Sequence, residues 1–339
     1  MPAVNYSASP TCARFMKSAA FGRLVAGPVG SGKTTSCIME LFRRSLEQEK
    51  APDGYRYTRF AVVRQTLKQL KDTVLKDIMK ELEGLCTYRV TDNLILVEFG
   101  DIRSEWLLIP LEDPEDQRRL LSMQLTGAWM SECIEMQVKL VAALSGRCGR
   151  YPSGNKGYCT WRGVIADTNM PSEGSDWHKF MTDPANTEWE IFLQPGGLEE
   201  HAENLMWLNQ TAESVKLPLD SPERAAIGRV YYERLARTSN VDWVKRYVHA
   251  QFGDDPSGSA VYRDSFKSSF HVVEGLQPHK FAPLIIGQDF GRDPCSVITQ
   301  MDPRGRFCIL EEVIAEDIGL EAHIEKNLRP ILMGSRYFG

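Results

Sequence analysis

An α/β fold, with a mostly parallel, doubly wound sheet followed by a smaller second domain, is what this 339-residue sequence predicts. Three observations predict it. Short apolar, strand-like runs alternate with helical patterns from Phe21 to Gln251. The length suits two domains better than one or three. The stretch Gly253-Asp254-Asp255-Pro256-Ser257-Gly258-Ser259 is rich in turn formers, and three closely spaced strand-like runs lie beyond it. The expected division is a first domain over 1–253, a linker over 254–281 and a second domain over 282–339.

The first strand, 21–26, is apolar except at Gly22 and Arg23 and runs into the Gly/Pro-rich stretch Gly27 to Gly32. Over 33–47, Ile38, Phe42 and Leu46 recur at helical spacing. A second strand over 59–64 centres on Phe60-Ala61-Val62-Val63. Thr66 then caps a helix whose Leu67, Leu70, Val74, Ile78 and Leu82 line one face. Strands over 94–99, 105–110, 128–130 and 163–166 continue the alternation, and helices over 223–236 and 241–251 close the first domain. Past the linker come strands over 284–288, 296–300 and 307–314, with Gly305 in the second turn, then a helix over 320–332. Three strands and then a helix are the opening of a ribonuclease H-like fold.

Composition narrows the class. Hydrophobic residues at 42% and charged residues at 25% support a buried core in a soluble chain. No apolar run approaches the roughly 18 residues of a membrane span. Arg14 and Lys17 interrupt the N-terminal stretch, so no secretory signal is expected and a cytosolic setting is. The eight cysteines show no C-x-x-C spacing, which points to reduced, mostly buried thiols rather than zinc or disulfides. A net charge of −5 is no footprint of a protein that coats nucleic acid passively, yet it leaves room for one that grips it through local patches.

Gly27-Pro28-Val29-Gly30-Ser31-Gly32-Lys33-Thr34 matches G-x-x-x-x-G-K-[ST] throughout. Such glycines let the backbone curl until successive N–H groups point at phosphate oxygens. Lys33 would neutralise the β- and γ-phosphates of ATP, the Thr34 hydroxyl would ligate Mg²⁺, and the helix N-terminus carrying Thr35 adds to the field. With a strand before it and a helix after it, the motif is read as a nucleotide site formed by Gly27, Gly30, Ser31, Gly32, Lys33, Thr34 and Thr35.

Hydrolysis further requires a carboxylate that orients water in line with the γ-phosphate. Ala128-Trp129-Met130-Ser131-Glu132 is the best fit, an apolar strand ending in Glu132. Ser131 stands where an Asp of the Mg²⁺ shell is expected, and a hydroxyl brings no charge. Glu112-Asp113 is the rival, after the apolar run Leu107 to Leu111. Glu132 is preferred because Pro110 gives the earlier strand an edge-like character.

Several blocks together resemble the large terminase subunits of tailed bacteriophages. They are Val62-Val63-Arg64-Gln65-Thr66-Leu67-Lys68, Leu125-Thr126-Gly127-Ala128-Trp129-Met130-Ser131-Glu132, Ser145-Gly146-Arg147-Cys148-Gly149-Arg150-Tyr151-Pro152 and Asp167-Thr168-Asn169-Met170-Pro171, with Asp176-Trp177-His178 downstream. Ala260-Val261-Tyr262 with Phe266, and Gly287-Gln288-Asp289-Phe290-Gly291, resemble the entry into that family's nuclease. Each block is weak alone; in this order along nearly the whole chain they are specific. The resemblance implies a P-loop ATPase domain followed by a ribonuclease H-like nuclease. It implies a homo-oligomeric ring on the portal protein of a procapsid, in the host cell cytoplasm and without membrane attachment. There it would pump double-stranded DNA selected by a small terminase subunit.

Residue roles follow from the same resemblance. Thr168 and Asn169 would sense the γ-phosphate and couple its loss to DNA, although a polar turn before Pro171 is the plainer reading. Arg118, Arg119, Arg147 and Arg150 are candidates for a finger that stabilises transition-state charge, supplied within or between subunits. Arg64 faces the crevice as a nucleotide or DNA contact, or forms an ion pair. Asp289 would be the first carboxylate of a nuclease site using Mg²⁺ or Mn²⁺, joined by at most one of Glu311 and Glu312, whose side chains alternate. Further acids are expected on strands beyond Gly339, so the nuclease half reads as incomplete. Plasmid nicking should be weak or absent with these 339 residues; robust cutting lost in Asp289→Ala would show that the acids present suffice. The alternative class is a helicase or DNA-repair P-loop ATPase, disfavoured because no second motor lobe is evident. A nucleotide-dependent switch without translocation is a third.

Overall fold

The computed structural model describes residues 4–111, 118, 120–253, 266 and 268–338. Contacts divide the chain into two units, Met1–Gly258 and Ser259–Gly339. The rival acids Glu112 and Asp113, the finger candidate Arg119, most of the turn-rich stretch and Ala260-Val261-Tyr262 lie outside the described residues.

In the first unit the strands are β1 (Gly22–Ala26), β2 (Arg56–Arg64), β3 (Cys86–Arg89), β4 (Leu94–Phe99), β5 (Ile102–Pro110), β6 (Gly127–Ser131), β7 (Gly163–Thr168) and β8 (Trp189–Leu193). Among the described residues they form one eight-stranded sheet in the order β3-β4-β5-β2-β6-β7-β1-β8. Pairing is parallel from β5 to β8, while β3 and β4 add an antiparallel margin. Alternation along each strand produces two cores. Val25, Phe60, Val62, Trp129 and Ile165 pack on one face with the helical segments α1 (Pro10–Lys17), α2 (Lys33–Glu47) and α3 (67–81). Leu24, Ala61, Val63, Met130 and Val164 pack on the other, against α4 (Leu140–Ser145) and α5 (Asp176–Thr182). Helices on both faces of a mostly parallel sheet are the expected doubly wound fold.

The sequence pattern explains the local elements. Thr66 and Gln69 form a reciprocal capping box at the start of α3, and Leu70, Val74, Ile78 and Leu82 are its buried face. Helix α2 is fastened to β1 by an ion pair, Arg23 Nη2 to Glu40 Oε1 at 2.7 Å, with both side chains fully buried. Removing one partner would strand a buried charge, so this pair holds the helix that begins at Lys33 in one place.

Two expectations need correction. Strand β5 is interior rather than edge-like: it pairs with β4 on one side and with β2 on the other, as far as Arg64 opposite Pro110. Pro110 is tolerated because it is the last residue of the strand. Burial of the cysteines is also less complete than expected: Cys12, Cys37 and Cys133 are buried, whereas Cys86, Cys148, Cys159, Cys295 and Cys308 are half-buried.

In the second unit, β9 (Leu284–Asp289), β10 (Cys295–Met301) and β11 (Phe307–Ile314) form an antiparallel sheet in the order β11-β10-β9. Ile298, Leu310, Val313 and Leu328 are its buried centre. Helical residues over 320–332 follow, in the expected order. Among the described residues no helix is long and apolar enough to cross a membrane.

Candidate active site

The loop from Gly27 to Gly32 leaves β1 and enters α2. Gly30 and Gly32 have φ of 75° and 85°, a left-handed conformation that glycine adopts without penalty. A Cβ on Gly27 would lie 2.4 Å from Gln194 Oε1, so the loop also needs glycine there for space. The Gly27 N–H donates to Thr168 O at 3.2 Å, tying the loop to β7.

Residues distant in sequence brace the loop. Gln194 Nε2 donates to Ser31 O at 3.0 Å and to Glu203 Oε2 at 3.1 Å, while Ser31 Oγ lies 2.6 Å from Gln194 Oε1. Glu203 in turn accepts from the backbone and hydroxyl of Thr11 at 2.9 and 2.8 Å. From the segment after β8, Asn204 Nδ2 donates to Gly30 O at 2.7 Å and Tyr232 Oη donates to Val29 O at 2.8 Å. Neither Gln194, Glu203 nor Tyr232 carries a motif that would have marked it in the sequence; fold adjacency alone reveals them.

Lys33 is 5% exposed. Its Nζ donates to Gly27 O at 3.2 Å, Pro28 O at 2.7 Å, Ser31 Oγ at 3.3 Å and Asn169 Oδ1 at 3.2 Å. Burial pulls its ammonium below the usual range, and the charges of Glu132 and Asp167 push the other way. Asn169 also donates from Nδ2 to Glu132 Oε2 at 3.3 Å. One amide therefore bridges the loop lysine and the strand-end carboxylate. Glu132 itself has φ 49°, a left-handed conformation costing a non-glycine residue about 1–2 kcal/mol. Strain of this kind concentrates where a side chain must be aimed.

Strand β7 lies between β1 and the acidic strand β6, so the acid is two strands from the loop rather than beside it. Asp167 lies on the intervening strand, at the head of the block that carries Thr168 and Asn169. Trp129 Nε1 donates to Asp167 Oδ1 at 2.6 Å, and Thr34 Oγ1 donates to Asp167 Oδ2 at 3.2 Å. Full burial, then the nearby Glu132 charge, push the Asp167 carboxyl up to about 7. Thr34 and Asp167 are hard oxygen donors of the kind that suits magnesium. The glycine loop, the start of α2, Lys33 and these oxygens fit a magnesium-bound nucleotide.

The structure therefore brings together Gly27, Gly30, Ser31, Gly32, Lys33, Thr34, Glu132, Thr168 and Asn169, with Thr35 on the first turn of α2. It does not bring Arg147 or Arg150 to this site. Leu125 donates to Arg147 O and accepts from the Arg150 N–H, at the amino end of β6. Seven residues of extended chain, roughly 23 Å, separate Leu125 from Glu132. Arg147 Nη1 is engaged by Leu121 O at 2.6 Å, and both Arg150 and Arg118 are exposed. Arg64 pairs with Glu135 at 3.4 Å and donates to Thr73 Oγ1 at 2.7 Å, which favours its ion-pair reading.

In the second unit Asp289 is exposed at the end of β9. It pairs with Cys295, and two residues along, Val297 lies opposite both Gly287 and Glu312. Period-two alternation therefore puts Glu312 on the face of Asp289 and Glu311 on the other. Glu311 is occupied by Arg336 at 3.0 Å and Tyr337 Oη at 2.8 Å. Among the described residues no group of three or more metal-binding side chains converges.

No family model and no curated protein sequence matches the chain. Solved structures do. The large terminase of a thermophilic bacteriophage is similar over 97% of this chain and 75% of its own, at 14% identity and a TM-score of 0.52. A further structure of that same terminase, in complex with ADP, covers 96% and 74%, at 14% identity and a TM-score of 0.50. The large terminase of bacteriophage HK97 covers 91% and 63%, at 11% identity and a TM-score of 0.50. The chain thus has the fold of phage large terminases.

Proposed function

We propose that this chain is the ATPase of a viral DNA-packaging motor, which uses ATP and Mg²⁺ to translocate double-stranded DNA into a procapsid. The observation that carries the reading is the bridge from Lys33 through Asn169 to Glu132. It joins a phosphate-binding lysine to a candidate base through a single polar side chain that lies where a γ-phosphate would be sensed. Lys33 would turn from its loop carbonyls to the β- and γ-phosphates. Glu132 would accept the proton of the attacking water. Thr168 and Asn169 would register loss of the γ-phosphate and pass it along β7. The division of labour is a motor over 1–253, a linker over 254–281 and a nuclease portion over 282–339. In that last part Asp289 and Glu312 share a sheet face on which Mg²⁺ or Mn²⁺ would serve cleavage. Arg147 and Arg150, far from their own chain's site, suit a finger offered to a neighbouring subunit in a ring. The portal protein and a small terminase subunit are the partners this reading requires, in the host cytoplasm.

Long duplex DNA should stimulate ATP turnover, and added ATP should drive duplex DNA into procapsids. Stimulation by single strands alone would instead favour a helicase, and turnover indifferent to DNA would favour a switch. Asn169→Ala tests the bridge. Hydrogen bonds to charged groups contribute about 1.5–3 kcal/mol, so DNA-stimulated turnover should fall about tenfold or more while ATP still binds. Unchanged stimulated turnover in this variant would remove Asn169 from the coupling path.

A further inference from the structure

The acidic strand is short of one charge. Ser131 stands where a carboxylate of the magnesium shell is expected, and the adjacent strand carries a carboxylate at the same level. Ser131 on β6 is the register partner of Asp167 on β7, which is itself opposite Val25 on β1. Directly paired residues share a face of the sheet, and here it is the face packed against α2. Because β7 intervenes, Asp167 is nearer the phosphate loop than Ser131 by one strand spacing, about 4.8 Å. Its Oδ2 already accepts from Thr34 Oγ1, the hydroxyl assigned to magnesium, and Trp129 Nε1 fixes its other oxygen. A fully buried carboxylate is costly unless a cation meets it. Lys33 is hydrogen-bonded to the loop carbonyls, Ser31 and Asn169 instead.

We propose that Asp167, with Thr34, anchors the magnesium of the bound nucleotide, so that β7 supplies the charge that position 131 lacks. The inference rests on the ATPase reading and sharpens it: the acid that holds the metal and the acid that serves as base come from different strands. When bound, the metal would neutralise phosphate charge. This chain's part is to hold one carboxylate rigidly beside Thr34 and to keep Glu132 free for water.

Asp167→Asn is nearly isosteric: its Oδ1 still accepts from Trp129 and its amide still meets Thr34, so the fold should persist. The measurement is the affinity for ATPγS by calorimetry with Mg²⁺ and with EDTA, beside Mn²⁺ binding to the protein–ATPγS complex by electron paramagnetic resonance. Loss of a metal-orienting group typically costs 10–100-fold in metal affinity. We expect Mn²⁺ affinity to fall by about that factor, and the gain in ATPγS affinity on adding Mg²⁺ to vanish, with affinity in EDTA retained. The double variant Ser131→Asp/Asp167→Asn should recover both. Wild-type metal dependence in Asp167→Asn, or a double variant no better than the single one, would overturn the assignment. Failure of the wild-type chain to bind ATPγS, or equal binding by Lys33→Ala, would overturn the ATPase reading beneath it.

Discussion

Lys33→Ala is expected to reduce ATP turnover by at least about a hundredfold, the scale of loss when one preorganised charge-stabilising group is removed. The reason lies in where the ammonium sits. It is buried at the mouth of the loop, and each of its partners is a neutral oxygen: two loop carbonyls, the Ser31 hydroxyl and the Asn169 amide. None of these can replace it as the positive charge facing the β- and γ-phosphates. Alanine is the best helix former and occupies the first residue of α2 without strain, so the fold should survive. Retained far-UV circular dichroism with turnover lost is the expected pair of results. Wild-type turnover by a folded variant would remove the phosphate-loop assignment.

The loop was legible in the sequence because its physics is local. Gly30 and Gly32 sit at positive φ, and a lysine and threonine must follow at fixed spacing, so a run of eight residues states the whole requirement. Helix α2 was legible for a related reason, since Ile38 and Phe42 recur at helical spacing on its buried face, although Leu46 at the next turn is exposed. The buried strands β1, β2, β6 and β7 announced themselves as compact apolar runs. Strand β3, Cys-Thr-Tyr-Arg at the sheet margin, has no such run, and β8 alternates only weakly. Strand β3 exists because β4 offers hydrogen bonds, whereas β8 also packs Trp189 and Phe192 against the two cores.

What stayed hidden depends on which strands lie side by side. Nothing local shows that β7 separates β1 from β6, and without that fact Asp167 is one more polar residue before Thr168 and Asn169. Its meaning comes from Thr34 on α2 and from Trp129 and Ser131 on β6, residues far from it in sequence that the fold brings beside it. Gln194 and Glu203 were hidden in the same way, since they brace Ser31 from just past β8, a strand beside β1 in the sheet but far from it in sequence. Pro110 misled because a proline suggests an edge, while the register shows that its strand simply ends there. Arg147 and Arg150 were finger candidates by resemblance, for their own site or a neighbour's, and their backbones bond at the end of β6 opposite Glu132.

Glu132→Gln is expected to leave ATP bound but unhydrolysed, with turnover reduced by about 10²–10⁴-fold, the usual contribution of a positioned general base. Glutamine keeps the length of the side chain and can still engage the Asn169 amide, so the bridge toward Lys33 should remain. It cannot accept a proton. Nor should it relax the left-handed backbone at this position, because the residue's place between β6 and the following turn is unchanged. Removing a negative charge beside buried Asp167 should, if anything, ease the cost of that carboxylate. The variant should therefore fold, bind nucleotide and hold it. The check is single-turnover hydrolysis together with the lifetime of bound ATP, run beside Glu112→Gln. A trapped ATP state in Glu112→Gln, with normal turnover in Glu132→Gln, would move the base to the segment after β5 and leave the strained backbone at Glu132 without a catalytic purpose.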